Sequence, residues 1–307
     1  MDVATTLPPP PALPLWKRIW NFPLTAMLVA LVATIMVVAA VSIATGFLAA
    51  ALGEGQAELW AEPVQVLAVV AALIGLQKLV LRRLGERRHD DLPFADAPRG
   101  LAMGVFGAAA LFSVIVGVAA LLGAYRIVGW GGLSDWLFLL FVAGVSAGFV
   151  EELIFRGILF RWIEEFGGSW AALAVTSALF GLAHIANENA TWWSSLTIAL
   201  VAGTLLGGAY MLTRSLWLAV GIHFGWNVTQ GLVWDVPVSG NDVDGLVDAQ
   251  LVGDPLISGG AFGLEASVIA LVVAGSAGVW MVWRAAAAGE LMAPWWVRRR
   301  AAAAAEA

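Results

Sequence analysis

Within residues 148–160, GFVEELIFRGILF, two carboxylates and a guanidinium interrupt an apolar run. Further along, ALFGLAHIAN carries His184, and VGIHFGWN carries His223 and Asn227. A carboxylate can take a proton from water, an imidazole can pass one on, and a carboxamide can donate to a developing oxyanion. Taken together these groups suit general acid–base chemistry. Each also has a plainer reading. Ion pairs, amides and histidines inside apolar helices often serve only to hold helices together.

Spacing separates the roles. Glu152 and Arg156 are four residues apart with the acid first, the favourable order for a helical ion pair. Arginine can moreover grip a carboxylate with two donors. Glu151 points about 100° away on a 3.6-residue helix and is left without that partner. Glu151 is therefore the expected general base, and Glu152 its structural neighbour paired to Arg156. Phe180 precedes His184 by four residues, which puts the ring one turn below the imidazole on one face. His223 and Asn227 have the same spacing and share a face. The third histidine, His89, sits in RRLGERRHDD and reads as solvated surface.

The elements that must position these groups are membrane helices. The chain has 307 residues, of which 61% are hydrophobic and only 12% charged. A soluble domain carries roughly 25% charged residues. Spans of about 20 apolar residues fall within Phe22–Leu52, Pro63–Leu81, Leu101–Ala124, Leu133–Phe160, Trp170–Ala186, Trp193–Thr213, Leu216–Val233 and Gly259–Trp283. The expectation is an all-α polytopic bundle of about eight transmembrane helices. Fourteen of the sixteen basic residues fall on the N-terminal side of the alternating loops, and the opposite loops are acidic. The positive-inside rule then places both termini in the cytoplasm. Residues 1–14 read as a Pro-rich disordered tail, residues 15–284 as one transmembrane domain, and residues 285–307 as a basic interfacial tail. Glu265 falls in the first turns of the eighth span, and Gly240–Pro255 reads as irregular. Cysteine is absent, which excludes thiolate catalysis and disulfides. Nothing points to nucleic acid, and an Ala/Gly/Val/Trp-rich composition points to a bacterial inner membrane.

The polar motifs resemble those of the CAAX-protease and bacteriocin-processing (CPBP, or Abi) family. EELIFR is similar to its EExxxR motif, FGLAH to FxxxH, and HFGWN to HxxxN, in family order from Glu151 to Asn227. The resemblance covers the fourth to seventh spans, with the core about 133–235. It implies an intramembrane endopeptidase acting on a membrane-associated protein or peptide. Glu151 would activate water, His184 would assist, and His223 with Asn227 would stabilise the oxyanion, while Glu152 and Arg156 order the site. A zinc alternative would use Glu151, His184 and His223 as ligands, the number a catalytic zinc wants. The three come from separate helices without the compact HExxH spacing, so a metal-free site is favoured and no cofactor is expected. Two other readings compete: a non-catalytic protein of the same fold, such as an immunity or scaffold protein, and a proton-coupled transporter. Against transport, no inverted repeat is visible.

Depth poses one difficulty. If the fifth span begins at Trp170, His184 lies roughly 21 Å from its inner end, deeper than Glu151 at roughly 14 Å. The expectation is that the fifth span begins later, with residues 161–171 as an interfacial connector, and that the site opens toward the end bearing the basic loops.

Overall fold

A computed structural model describes residues 14–52 and 56–305, side chains at 52–59 excepted. The Pro-rich tail before Pro14 and the loop acid Glu54 lie outside the described residues. The chain is a polytopic helical bundle. A short amphipathic α1 (Leu15–Asn21) leads into α2 (Pro23–Leu52), followed by α3 (Gln56–Leu79) and α4 (Ala97–Leu121). A strand, β1 (Tyr125–Trp130), precedes a wide helix wound with i→i+5 turns over Phe138–Glu151 and Leu153–Phe160. That helix runs on into α5 (Arg161–Gly167). Then come α6 (Ser169–Ala183), α7 (Trp192–Thr213) and α8 (Leu216–Val228), which ends in a wide turn, Thr229–Val233. After an acidic loop lie β2 (Val247–Leu251), the single turn α9 (Pro255–Ser258), α10 (Val268–Ala287) and α11 (Trp295–Ala305).

Among the described residues, seven helical segments are long and apolar enough to cross a membrane. The seventh expected span, α8 with its terminal turn, is not among them, because His223, Asn227 and Gln230 dilute its apolar run. It compensates by burial. Nearly every residue from Leu216 to Asn227 is buried, so α8 is the axis of the bundle rather than a lipid-facing helix. By contrast α2, the most apolar span, has only 17% of its window buried.

Small residues set how close the helices come to α8. A Cβ at Gly104 of α4 would sit 2.6 Å from backbone atoms of Gly221 and Ile222, and one at Gly225 would sit 2.6 Å from Val105 Cα. On the other side, a Cβ at Gly148 would lie 3.1 Å from the Phe224 nitrogen. Backbones in membranes approach this closely only where side chains are absent. These contacts press α4 and the wide helix against opposite sides of α8, and bring Glu152 beside His223.

The depth difficulty resolves differently from the expectation. The fourth span does not stop at Phe160 but continues through α5 to the turn at Gly168 (φ 86°), where α6 begins at once. Residues 161–167 are therefore helix, not a connector. The chain reverses at that turn and brings Glu151 within electrostatic reach of His184.

The basic-loop end is pinned by buried polar groups. Asp91, fully buried, accepts hydrogen bonds from Gln77 Nε2 (2.7 Å), Arg161 Nη1 (3.0 Å) and Tyr210 Oη (2.6 Å). Glu164 accepts from Arg214 Nη1 at 2.6 Å. His89, expected to be plain surface, contacts the Arg214 carbonyl through Nε2 at 2.8 Å. The first and last helices meet at this same end, where Phe22 packs edge-on against Phe166 and Trp295.

At the opposite end the acidic loop is more ordered than the sequence suggests. β2 pairs antiparallel with β1, from Tyr125 opposite Leu251 to Trp130 opposite Val247. Tyr125 is buried, donates to the Trp234 carbonyl at 2.8 Å, and has its pKa pushed up to about 12 by desolvation and by Asp235. Glu265 lies not in α10 but in a short turn before it, Leu264–Ala266.

Candidate functional site

The wide helix supplies the acids. Glu152 is fully buried, and its Oε1 accepts from Arg156 Nη1 at 2.9 Å, so the pair expected from the spacing forms despite the wider winding. The same oxygen lies 2.9 Å from His223 Nδ1. Glu152 is thus the anchor of two site residues. Arg156 also donates to the Ala202 carbonyl at 3.3 Å, and its guanidinium lies 4.6 Å from the centre of the Phe180 ring. Glu151 differs sharply. It is half-buried, makes no ion pair among the described residues, and its Oε2 is buried without a hydrogen-bond partner. Its charge is within electrostatic reach of Arg156, His184 and His223. Glu152 Oε2 is likewise buried without a partner, so the two acids differ in Oε1, which is paired only in Glu152.

The histidines come from α6 and α8. His184 follows α6 directly, and its Nδ1 lies 2.7 Å from the Phe180 carbonyl. A carbonyl can only accept, so Nδ1 carries the proton, and in the neutral ring Nε2 keeps its lone pair. His223 Nδ1 likewise donates to Glu152, which leaves its Nε2 free. Phe180 is the spacer between the two rings, with centroids 4.7 Å from His184 and 6.1 Å from His223. Asn227 donates through Nδ2 to the Ala143 carbonyl at 2.7 Å. That bond ties α8 to the wide helix and uses one of the two amide hydrogens. Spacing suggested a free carboxamide; packing has engaged half of it.

His184, His223 and Asn227 line one cavity of about 40 Å3. Its remaining wall is apolar, from Phe180, Ile198, Val201 and Trp226, except for Ser239 and Glu265. That volume holds a few waters and no peptide. Contrary to the expected direction, the cavity lies at the acidic-loop end, roofed by the segment that follows α8. The roof residues are what the sequence reading underused. Gln230 is three residues after Asn227, a spacing that places it near the same face of the helix. Ser239 carries no signal at all.

Both histidines have Nδ1 held by a partner, an arrangement that orients a metal-binding imidazole. The donors nevertheless do not converge. Among the described residues, no three His, Asp or Glu side chains form a set that could hold an ion. The Glu151, His184 and His223 arrangement does not fit a three-ligand zinc centre.

The fold and the site define a polytopic helical membrane protein with acid, imidazole and amide groups gathered within its bundle. Residues 133–229 match a family model described as type II CAAX prenyl endopeptidase, Rce1-like. The match runs from just before the wide helix to the turn after α8. It contains all seven motif-derived positions, Glu151, Glu152, Arg156, Phe180, His184, His223 and Asn227. This segment thus matches the CAAX-protease family, the class of membrane protease that the motifs resemble. Neither a curated protein nor a solved structure matches the chain significantly.

Proposed function

We propose that the protein is an intramembrane endopeptidase that hydrolyses a peptide bond of a membrane-associated protein or peptide with a water activated by Glu151. One observation carries the reading: of two adjacent carboxylates, Glu152 is held through Oε1 by Arg156 and His223, while Glu151 makes no side-chain hydrogen bond or ion pair among the described residues. Glu151 takes the proton of the attacking water, and the resulting hydroxide adds to the scissile carbonyl carbon. His184, with Nε2 free, assists by relaying that proton toward the leaving amine. His223 and the second amide hydrogen of Asn227 stabilise the tetrahedral oxyanion. For His223 this requires the doubly protonated ring, a charge that the Glu152 carboxylate supports. No metal is assigned a step.

The chain's location is read from its composition as a bacterial inner membrane, and from its loop charges as having cytoplasmic termini. Under that orientation the cavity lies nearer the outer face.

The test is cleavage by purified full-length protein in liposomes carrying a mixture of membrane-associated peptides. Glu151→Ala, His184→Ala and His223→Ala should each abolish cleavage with folding retained. Full activity in Glu151→Ala would refute the assignment of the base. Absence of cleavage by the wild type against a broad peptide set would favour a non-catalytic role for the same fold.

A further inference from the structure

The cavity around His184 and His223 is far too small for a peptide, so one of its walls has to move. Most of that wall belongs to spanning helices locked by close backbone contacts. The exception is the roof, contributed by Ser239 and Glu265 from the segment between α8 and α10.

Most of that segment is fixed, by β2 pairing with β1, by Asp244 bonds to Gly132 and Ser134, and by Val236, Phe262, Leu264 and Ala266 in the core. The bend 237–241 directly over the cavity is instead held by a few identifiable bonds. The Ser239 amide donates to Glu265 Oε1 at 2.5 Å. Asn187 Nδ2 donates to the Ser239 carbonyl at 3.1 Å, and Asn189 Nδ2 to the Gly240 carbonyl at 2.9 Å. The Gly240 amide donates to the Phe262 carbonyl at 3.0 Å, and Gln230 reaches the Pro237 carbonyl. Three elements thereby meet over the cavity: the end of α6 just past His184, the turn after α8, and the turn before α10.

Backbone conformation marks the same spot. Ser239 has φ 51°, and a Cβ at Gly240 (φ 89°) would collide with the Glu188 carbonyl oxygen. The roof is therefore a bend seated tightly on the loop after His184. Glu265 is almost fully buried beneath it, outside the family-matched core. It is a carboxylate with no salt-bridge partner among the described residues, stabilised by donors from Ser239 and Gln230 and lying within electrostatic reach of His223.

We propose that the bend at residues 237–241 forms a lid over the candidate active site, latched shut by Glu265 through the Ser239 amide, and that this lid opens to admit an extended peptide from the acidic-loop end. The proposal rests on the proteolytic reading for what is admitted. Glu265 is a positioning residue here, since it acts through the lid and touches no reacting atom.

The chain has no cysteine, so a single introduced thiol reports on lid opening. Val201→Cys is close to isosteric and places the thiol on the cavity wall. The full-length protein in detergent is labelled with a polar maleimide, and the rate is compared among variants. Val201→Cys alone should react slowly. Adding Glu265→Ala should speed labelling by about tenfold or more, the factor that about 1.4 kcal/mol makes in an opening equilibrium. Adding Glu265→Gln, which keeps the acceptor oxygen, should leave the slow rate. An unchanged rate in Glu265→Ala overturns the latch, as does an equal rise in Glu265→Gln. Should Glu265→Ala not fold, Asn187→Ala with Asn189→Ala removes two other lid bonds, and an unchanged rate there overturns the lid. Faster labelling in a protein that cleaves no peptide would uphold the lid and remove the proteolytic reading.

Discussion

Glu151 and Glu152 are neighbours in sequence with the same side chain, and replacing each by glutamine should produce opposite results. Glu152 Oε1 sits 2.9 Å from both Arg156 Nη1 and His223 Nδ1, in a fully buried setting. Neutralising it leaves the buried Arg156 without its counter-charge. Breaking such a pair from one side costs about 3–5 kcal/mol. Glu151 makes no ion pair and no side-chain hydrogen bond among the described residues, so its isosteric replacement should cost under about 1 kcal/mol of stability. Its chemistry is another matter. Loss of a general base lowers the rate by about 10²–10⁴, or roughly 3–5 kcal/mol in barrier at 1.36 kcal/mol per tenfold. Stability is followed by tryptophan fluorescence during unfolding in mixed micelles, using the chain's sixteen tryptophans. Activity is followed by peptide cleavage in liposomes. The expected pattern is a stable, inactive Glu151→Gln and a strongly destabilised Glu152→Gln. Equal destabilisation by the two, or a fully active Glu151→Gln, would refute the division of labour.

Three further outcomes follow from the same geometry. Glu265 has a folded pKa of about 7 against an ordinary 4.5. The folded state therefore holds an extra proton between those values, and stability should fall by up to about 3 kcal/mol as pH rises through that window. In Glu265→Gln that pH-dependent loss should disappear from unfolding curves taken from pH 4.5 to 8. Gly104→Val should wedge α4 off α8 and destabilise by about 1–3 kcal/mol or more, whereas Gly107→Ala, which meets nothing within 4 Å, should stay within about 0.5 kcal/mol. Excess chelator should leave cleavage unchanged; loss of cleavage that added Zn2+ restores would overturn the metal-free mechanism.

The sequence by itself determined the membrane class, because 61% hydrophobic content and spans of membrane length leave no soluble alternative. It also determined the identity of the chemical groups. Polar residues are expensive in lipid, so those that remain stand out against the apolar background. The Glu152–Arg156 pair was legible because it is local: one helical turn joins the two. What lay beyond reach was everything set by distant segments. That Glu152 holds His223 depends on glycines of three helices letting backbones meet. That Asn227 spends an amide hydrogen on Ala143 depends on the same approach. The wide winding of the fourth span and its continuation to Gly167 gave no periodic signal, since a nearly uniform apolar run looks alike at either pitch. The direction of the cavity was misread for a related reason. Loop charge reports on which side a loop faces, not on whether it folds back into the bundle. Only the tertiary structure brings Ser239 and Glu265 over the histidines, through hydrogen bonds between residues 26 to 52 apart, a separation at which sequence spacing carries no geometric information.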